Sequence, residues 1–225
     1  MKIENITLAY GNKNILKDAN IHIDPGEFIF LIGGSGSGKT SFIKMLIWDL
    51  RPKSGKFFAT EDRDVYAYTE KELLAYRRNI GVIFQDYKLL RSKTVRENVS
   101  FAMEVSGYKD SYIAEKIPEI LSRVGLLHKK ESFVETLSGW EAQRISIARA
   151  LIHDPDIIIG DEPTGNLDPR NAEEIIDLLL ELNAQGKTII IATHDDRIVN
   201  RLRKRVVTFK DARIVSDKEN GVYEL

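Results

Sequence analysis

The sequence predicts an α/β protein with a mainly parallel core sheet, an antiparallel β-region at the N-terminus and a helical block inserted within the core. Three observations carry this. Short apolar runs at 28–32, 80–84, 157–160 and 188–192 each end on polar residues and are separated by helix-like stretches. Residues 2–32 alternate apolar and polar in short stretches broken by Gly11-Asn12 and Asp24-Pro25-Gly26. From 94 to 150 the pattern turns helical, giving a block expected at about 90–153 within one domain of 1–225.

A chain of 225 residues suits one domain or a domain with a subdomain. Its 43% hydrophobic and 30% charged content is that of a globular protein. A net charge of −1 gives no electrostatic reason to expect nucleic acid as a partner. Cysteine is absent, which excludes a disulfide framework and Cys-based metal sites and fits a reducing compartment. No apolar run approaches the ~18 residues a membrane span requires, and residues 1–5 alternate rather than forming a signal segment. A membrane, if involved, is expected to belong to another chain.

In order, strands are expected at 3–8 and 21–23, then at 28–32. A helix from Thr40 is expected to run to Arg51-Pro52-Lys53-Ser54-Gly55, with Trp48 on its core face. Residues 56–80 are polar and carry no recognisable chemistry. After the strand at 80–84 come helices at 95–105, 113–124 and 138–151, separated by Gly107 and Gly125. A strand at 157–160 leads to Asp161 and Glu162. An amphipathic helix around 175–182 is stopped by Gly186. The strand at 188–192 delivers His194, and strands around 206–209 and 213–216 close the fold.

The chemistry begins at Gly33-Gly34-Ser35-Gly36-Ser37-Gly38-Lys39-Thr40, followed by Ser41, where a strand turns into a helix. The spacing G-x-x-x-x-G-K-[ST] in that context is a phosphate-binding loop. Glycines let backbone N–H groups converge on one point, and the new helix adds its unpaired N–H groups and dipole. Lys39 can reach the terminal phosphates of ATP, and Thr40 can ligate Mg²⁺. Asp161 and Glu162 end an apolar strand, where charge is costly without a cation or partner. Asp161 suits the Mg²⁺ shell and Glu162 suits activation of a water. Tyr10, at a strand end, is either a half-buried strand residue or a stacking platform for a base. Ser138 and Glu141 have capping-box spacing, which alone accounts for both. The five basic residues Arg197, Arg201, Arg203, Lys204 and Arg205 form either a solvated face or a contact for anionic lipid. A parallel sheet would gather the glycine loop, Gln85, the carboxylates and His194 beyond its carboxyl edge.

Taken together, the ordered set resembles the ATP-binding cassette (ABC) ATPases along the whole chain. Gly33 to Thr40 corresponds to Walker A, Gln85 to the Q-loop, and Leu137-Ser138-Gly139 to the start of the signature. Ile157 to Glu162 corresponds to Walker B, Asn166-Leu167-Asp168 to the D-loop, His194 to the switch histidine and Tyr10 to the adenine-stacking aromatic. Phe84-Gln85-Asp86, Leu89-Leu90 and Thr94-Val95-Arg96-Glu97-Asn98 are similar to the FtsE family of cell-division ATPases. The lipoprotein-release and macrolide-export ATPases share much of this set, and a weakly hydrolysing ATP-dependent scaffold is a third reading.

The resemblance implies catalytic roles for Glu162, His194 and Gln85, and Mg²⁺ contacts from Thr40, Gln85 and Asp161. It also implies an ATP-bound homodimer in which Ser138, Gly139 and Asp168 serve composite sites. An integral-membrane partner resembling FtsX would hold the chain at the cytoplasmic face of the membrane, docked on the helical block, to control cell-wall hydrolysis. Two departures stand out. Trp140 replaces the second glycine of the signature, where an indole is expected to crowd the neighbour's γ-phosphate, unless its Cβ projects away from the nucleotide, so that the closed dimer is weakened or needs the membrane partner. Asp211-Ala212 replaces a glycine turn.

Overall fold

The structure, a computed structural model, describes residues 1–60 and 63–225. In chain order it runs β1 (Lys2–Tyr10), β2 (Lys13–His22), β3 (Phe28–Gly33), α1 (Lys39–Leu46), β4 (Ser54–Phe58), α2 (Glu70–Arg78), β5 (Ile80–Phe84) and α3 (Val95–Val105). It continues with α4 (Asp110–Arg123), α5 (Gly139–Leu151), β6 (Ile157–Asp161), α6 (Pro169–Ala184), β7 (Thr188–Ala192), α7 (Asp196–Leu202), β8 (Arg205–Lys210) and β9 (Arg213–Lys218). Two compact units result, one of residues 1–78 and 182–225, the other of residues 79–181.

In the first unit, β2, β1 and β4 form an antiparallel sheet in that order, which matches the antiparallel region expected within 2–32 and adds β4, for which no strand was expected. The second strand is ten residues long, not a short piece at 21–23, because Gly11 and Asn12 form a tight turn that pairs Tyr10 with Lys13. The same unit holds a parallel set, β7-β3-β8, with β9 added antiparallel at its edge. All six residues of β3 and all five of β7 are buried, as continuous apolar runs in a parallel sheet demand. Asp211 and Ala212 turn β8 into β9 with φ of 49° and 58°, the two left-handed positions that a two-residue hairpin requires and that glycine usually fills.

Helix α1 stops at Leu46, earlier than the expected Arg51. Trp48 takes φ of 63°, Trp48 N–H donates to Met45 O at 3.1 Å and Asp49 N–H to Lys44 O at 2.7 Å. This is the Schellman ending, with an indole where glycine is customary. Trp48 is therefore off the helix and only half-buried, stacked on Tyr66 with ring centroids 4.3 Å apart. The polar stretch 56–80 is also structured where described, with β4, a 3₁₀ turn at Val65–Ala67 and α2.

In the second unit, β5 and β6 pair in parallel. Helix α3 opens on a capping box in which Thr94 and Glu97 exchange side-chain-to-backbone bonds. The buried Asn98 side chain holds Leu90 from both sides, accepting from its N–H at 2.7 Å and donating to its carbonyl at 3.0 Å. Helix α5 lies close over β5: a Cβ added at Gly81 would meet Ala150 O at 2.6 Å. Among the described residues no helix is long and apolar enough to cross a membrane.

Candidate nucleotide site

In the first unit the register pairs Leu31 with Ala192, so β3 and β7 deliver the glycine loop and His194 at one sheet edge. Thr193 N–H donates to Leu31 O at 3.1 Å, fixing the exit of β7 against β3. The loop turns through Gly33, Gly36 and Gly38 at φ of 147°, 74° and 111°. A side chain at Gly38 would be 2.9 Å from Ile15 O, so only glycine permits this approach to β2. Lys39 curls back and donates from Nζ to Gly33 O at 2.6 Å and Gly34 O at 3.3 Å. Its ammonium is thus held over the loop.

Beside the loop lies a cavity of about 490 Å³, lined by Gly36, Ser37, Gly38, Lys39, Thr40 and Ser41 on one side. Tyr10, Lys13, Asn14, Ile15, Asp211 and Ala212 line the rest. Three features fit it to a phosphate ester. Helix α1 opens with no side-chain cap and no acidic residue in its first turn, so its N–H groups and dipole are available to an anion. Ser37 Oγ is buried without a hydrogen-bond partner. Glycine at 38 lets the loop close against Ile15 of the cavity wall, since a Cβ there would lie 2.9 Å from Ile15 O. Tyr10 is half exposed and lines the cavity wall. Lys13, Asn14 and Asp211 were not legible as wall residues, because a hairpin tip carries no phosphate-loop signature.

In the second unit Phe84 pairs with Asp161, so Gln85 and the Asp161-Glu162 pair leave at one edge as well. Asn166 Nδ2 donates to Gln85 O at 2.8 Å, and Gln85 Nε2 would lie 3.4 Å from a Cβ at Gly165. Glu162 has φ of 51°, and Tyr87 and Lys88 have φ of 60° and 49°. Non-glycine residues are uncommon there, and such strain gathers at functional sites. Arg149 of α5 holds the second pair, donating to Lys88 O at 2.5 Å and Tyr87 O at 2.8 Å. The Asp168 carboxylate acts locally, accepting from Arg170 N–H and Asn171 N–H, both at 3.1 Å, at the start of α6. The Asn171 bonds, backbone first, hold it below the usual carboxylate range.

Helix α5 begins with Glu141 accepting from Ser138 N–H at 2.9 Å and Ser138 Oγ at 2.7 Å. Burial raises the Glu141 pKa, but the Ser138 bonds and Lys129 outweigh it and hold the group below its ordinary value. The Trp140 indole turns along the helix, with the Arg144 guanidinium 5.5 Å from its ring centroid. Arg144 in turn donates to Val124 O at 3.0 Å and to Glu174 at 2.6 Å.

The basic run 197–205 is not a uniform surface. Arg205 is mostly buried between Glu27 at 2.8 Å and Asp217 at 2.7 Å, and Arg197 pairs with Asp195 at 3.0 Å. Arg205 is thereby committed to the fold, whereas the paired Arg197 side chain stays largely exposed. Among the described residues no group of three or more His, Asp or Glu could hold a metal unaided.

The chain matches the ABC transporter family over residues 16–165. It is 43% identical to the cell division ATP-binding protein FtsE of Bacillus subtilis, over 99% of this chain and 98% of that protein. FtsE of Streptococcus pneumoniae is 42% identical over 99% of this chain and 97% of its own length. Among solved structures, the ATP-binding cassette MJ0796, a dimer in a post-hydrolysis state bound to ADP and Pi, superposes with a TM-score of 0.86. It is 30% identical, over 99% of each chain.

Proposed function

The chain belongs to the ABC transporter family as an FtsE relative, and on that premise we propose how its residues bind and hydrolyse ATP. The phosphates lie on Gly33, Gly34, Ser35, Gly36, Ser37 and Gly38, with Lys39 released from the loop carbonyls to the terminal phosphates. Thr40 and Ser41 open the helix beneath them, and Tyr10 stacks on the adenine. The observation that carries this reading is the cavity between Tyr10 and the uncapped start of α1.

Glu162 takes the proton from the attacking water, and Gln85 and His194 complete the catalytic set. Thr40, Gln85 and Asp161 offer hydroxyl, amide and carboxylate oxygens, a donor set suited to Mg²⁺ held jointly with phosphate. When bound, that ion would neutralise charge on the transferring phosphoryl group. Each motif occurs once, so two chains, head to tail, complete two sites, with Ser138, Gly139 and Asp168 serving the neighbour's nucleotide.

In this reading the segment 90–153 is a helical subdomain. It docks an integral-membrane partner resembling FtsX at the cytoplasmic face, and ATP-driven dimerisation controls cell-wall hydrolysis in division. FtsE relatives at 42–43% identity over nearly the whole chain support it. Replacing Lys39 with alanine is expected to abolish ATP binding in equilibrium titration; unaltered affinity would contradict the assignment. Affinity purification from membranes is expected to recover an FtsX-like protein, and its absence would remove the partner.

A further inference from the structure

Glu162 sits in left-handed backbone that its side chain disfavours, so something must hold it there. The restraint is at the next residue. The Pro163 ring lies against Gly160, where an added Cβ would be 3.0 Å from its Cγ. Gly165 N–H donates to Glu162 O at 3.1 Å. The Pro163 carbonyl accepts from Gln143 Nε2 at 2.5 Å, and Gln143, on α5, is 1% exposed. A carbonyl can only accept, so the amide must present its NH₂ group there.

Packing does not account for this side chain. Its Oε1 is buried without a hydrogen-bond partner, a cost that an apolar residue of the same length would avoid. We infer that Gln143 is a positioning residue for Glu162, fixing the Pro163 carbonyl so that the preceding carboxylate is aimed at the attacking water. The inference rests on the reading of Glu162 as the base.

Single-turnover ATP hydrolysis by the full chain tests it, with Gln143→Met made alone and together with Glu162→Gln. Alone, Gln143→Met is expected to slow hydrolysis roughly 10- to 100-fold, the effect of a misplaced reacting group, with ATP affinity within about twofold. With Glu162→Gln already present, Gln143→Met is expected to add less than about a twofold loss, because both act through one group. Gln143→Glu gives a pH signature. Burial raises that carboxyl's pKa, and its protonated form can donate to the Pro163 carbonyl. Its rate relative to the unaltered chain should therefore climb as pH falls.

An unchanged rate in Gln143→Met would overturn the inference. So would an equal fractional loss in both backgrounds, or a Gln143→Glu ratio independent of pH. Full turnover in Glu162→Gln alone would instead overturn the base itself, and the positioning role with it.

Discussion

After β3 the chain turns through Gly33, Gly36 and Gly38, with φ of 147°, 74° and 111°; after β5 and β6 comparable turns fall on Tyr87, Lys88 and Glu162, at 60°, 49° and 51°. At Gly33, Gly36 and Gly38 the first loop needs only backbone N–H groups at the proposed phosphates, so glycine removes both the strain and the obstruction. The second region cannot use glycine at 162, because the proposed chemistry needs a carboxylate there. Its backbone is held from outside instead, by Gln143 and Arg149 of α5. One loop is shaped by composition, the other by a neighbouring helix.

Gly38→Ala breaks the first half of that comparison and should have the largest effect. The new methyl meets Ile15 O and the backbone strain costs about 1–3 kcal/mol; loss of ATP binding by titration and of stability by urea denaturation are expected together. Arg149→Met breaks the second half. Two charge-assisted bonds to Tyr87 and Lys88 vanish, for a loss of about 2–3 kcal/mol in urea denaturation, while ATP affinity at the glycine loop stays within about twofold.

Trp140→Gly removes the indole from Arg144, a cation–π contact worth about 0.5–1 kcal/mol. Because the ring turns along α5, ATP-dependent dimerisation by sedimentation is expected to change less than twofold; a large gain would show that the indole obstructs closure. The smallest effect is at the cap of α3. Bonds from the Thr94 backbone, Lys93 and the Thr94 side chain hold Glu97 down to about 2 from an ordinary 4.5. Its folded pKa is depressed, so its stabilisation is present above pH 4.5 and is lost as pH falls towards 2. Glu97→Gln should flatten stability against pH in that window.

The glycine loop, Gln85, the carboxylates and His194 could all be placed on strand exits from the sequence, because apolar runs and glycine spacing are local signals. The features that were not legible depend on partners distant in sequence. Helix α1 ends at Leu46 and Trp48 beyond it stacks on Tyr66, whereas the local stop signals at glycine and proline lie further on. Helix α2 carried its own local sign, Thr69 and Glu72 at capping spacing with Glu72 accepting from Thr69 N–H at 2.7 Å, obscured by the polarity around it. Gln143 could not have been singled out, since its meaning lies in a carbonyl twenty residues away.

Binding is proposed to reside in the glycine loop and hydrolysis in a carboxylate held under strain. Measuring ATP affinity and single-turnover hydrolysis on one preparation of Glu162→Gln tests this division most directly. Affinity within about twofold of the unaltered chain, with hydrolysis slowed roughly 10²- to 10⁴-fold, is the predicted result. Hydrolysis at the unaltered rate, or lost in step with binding, would contradict it.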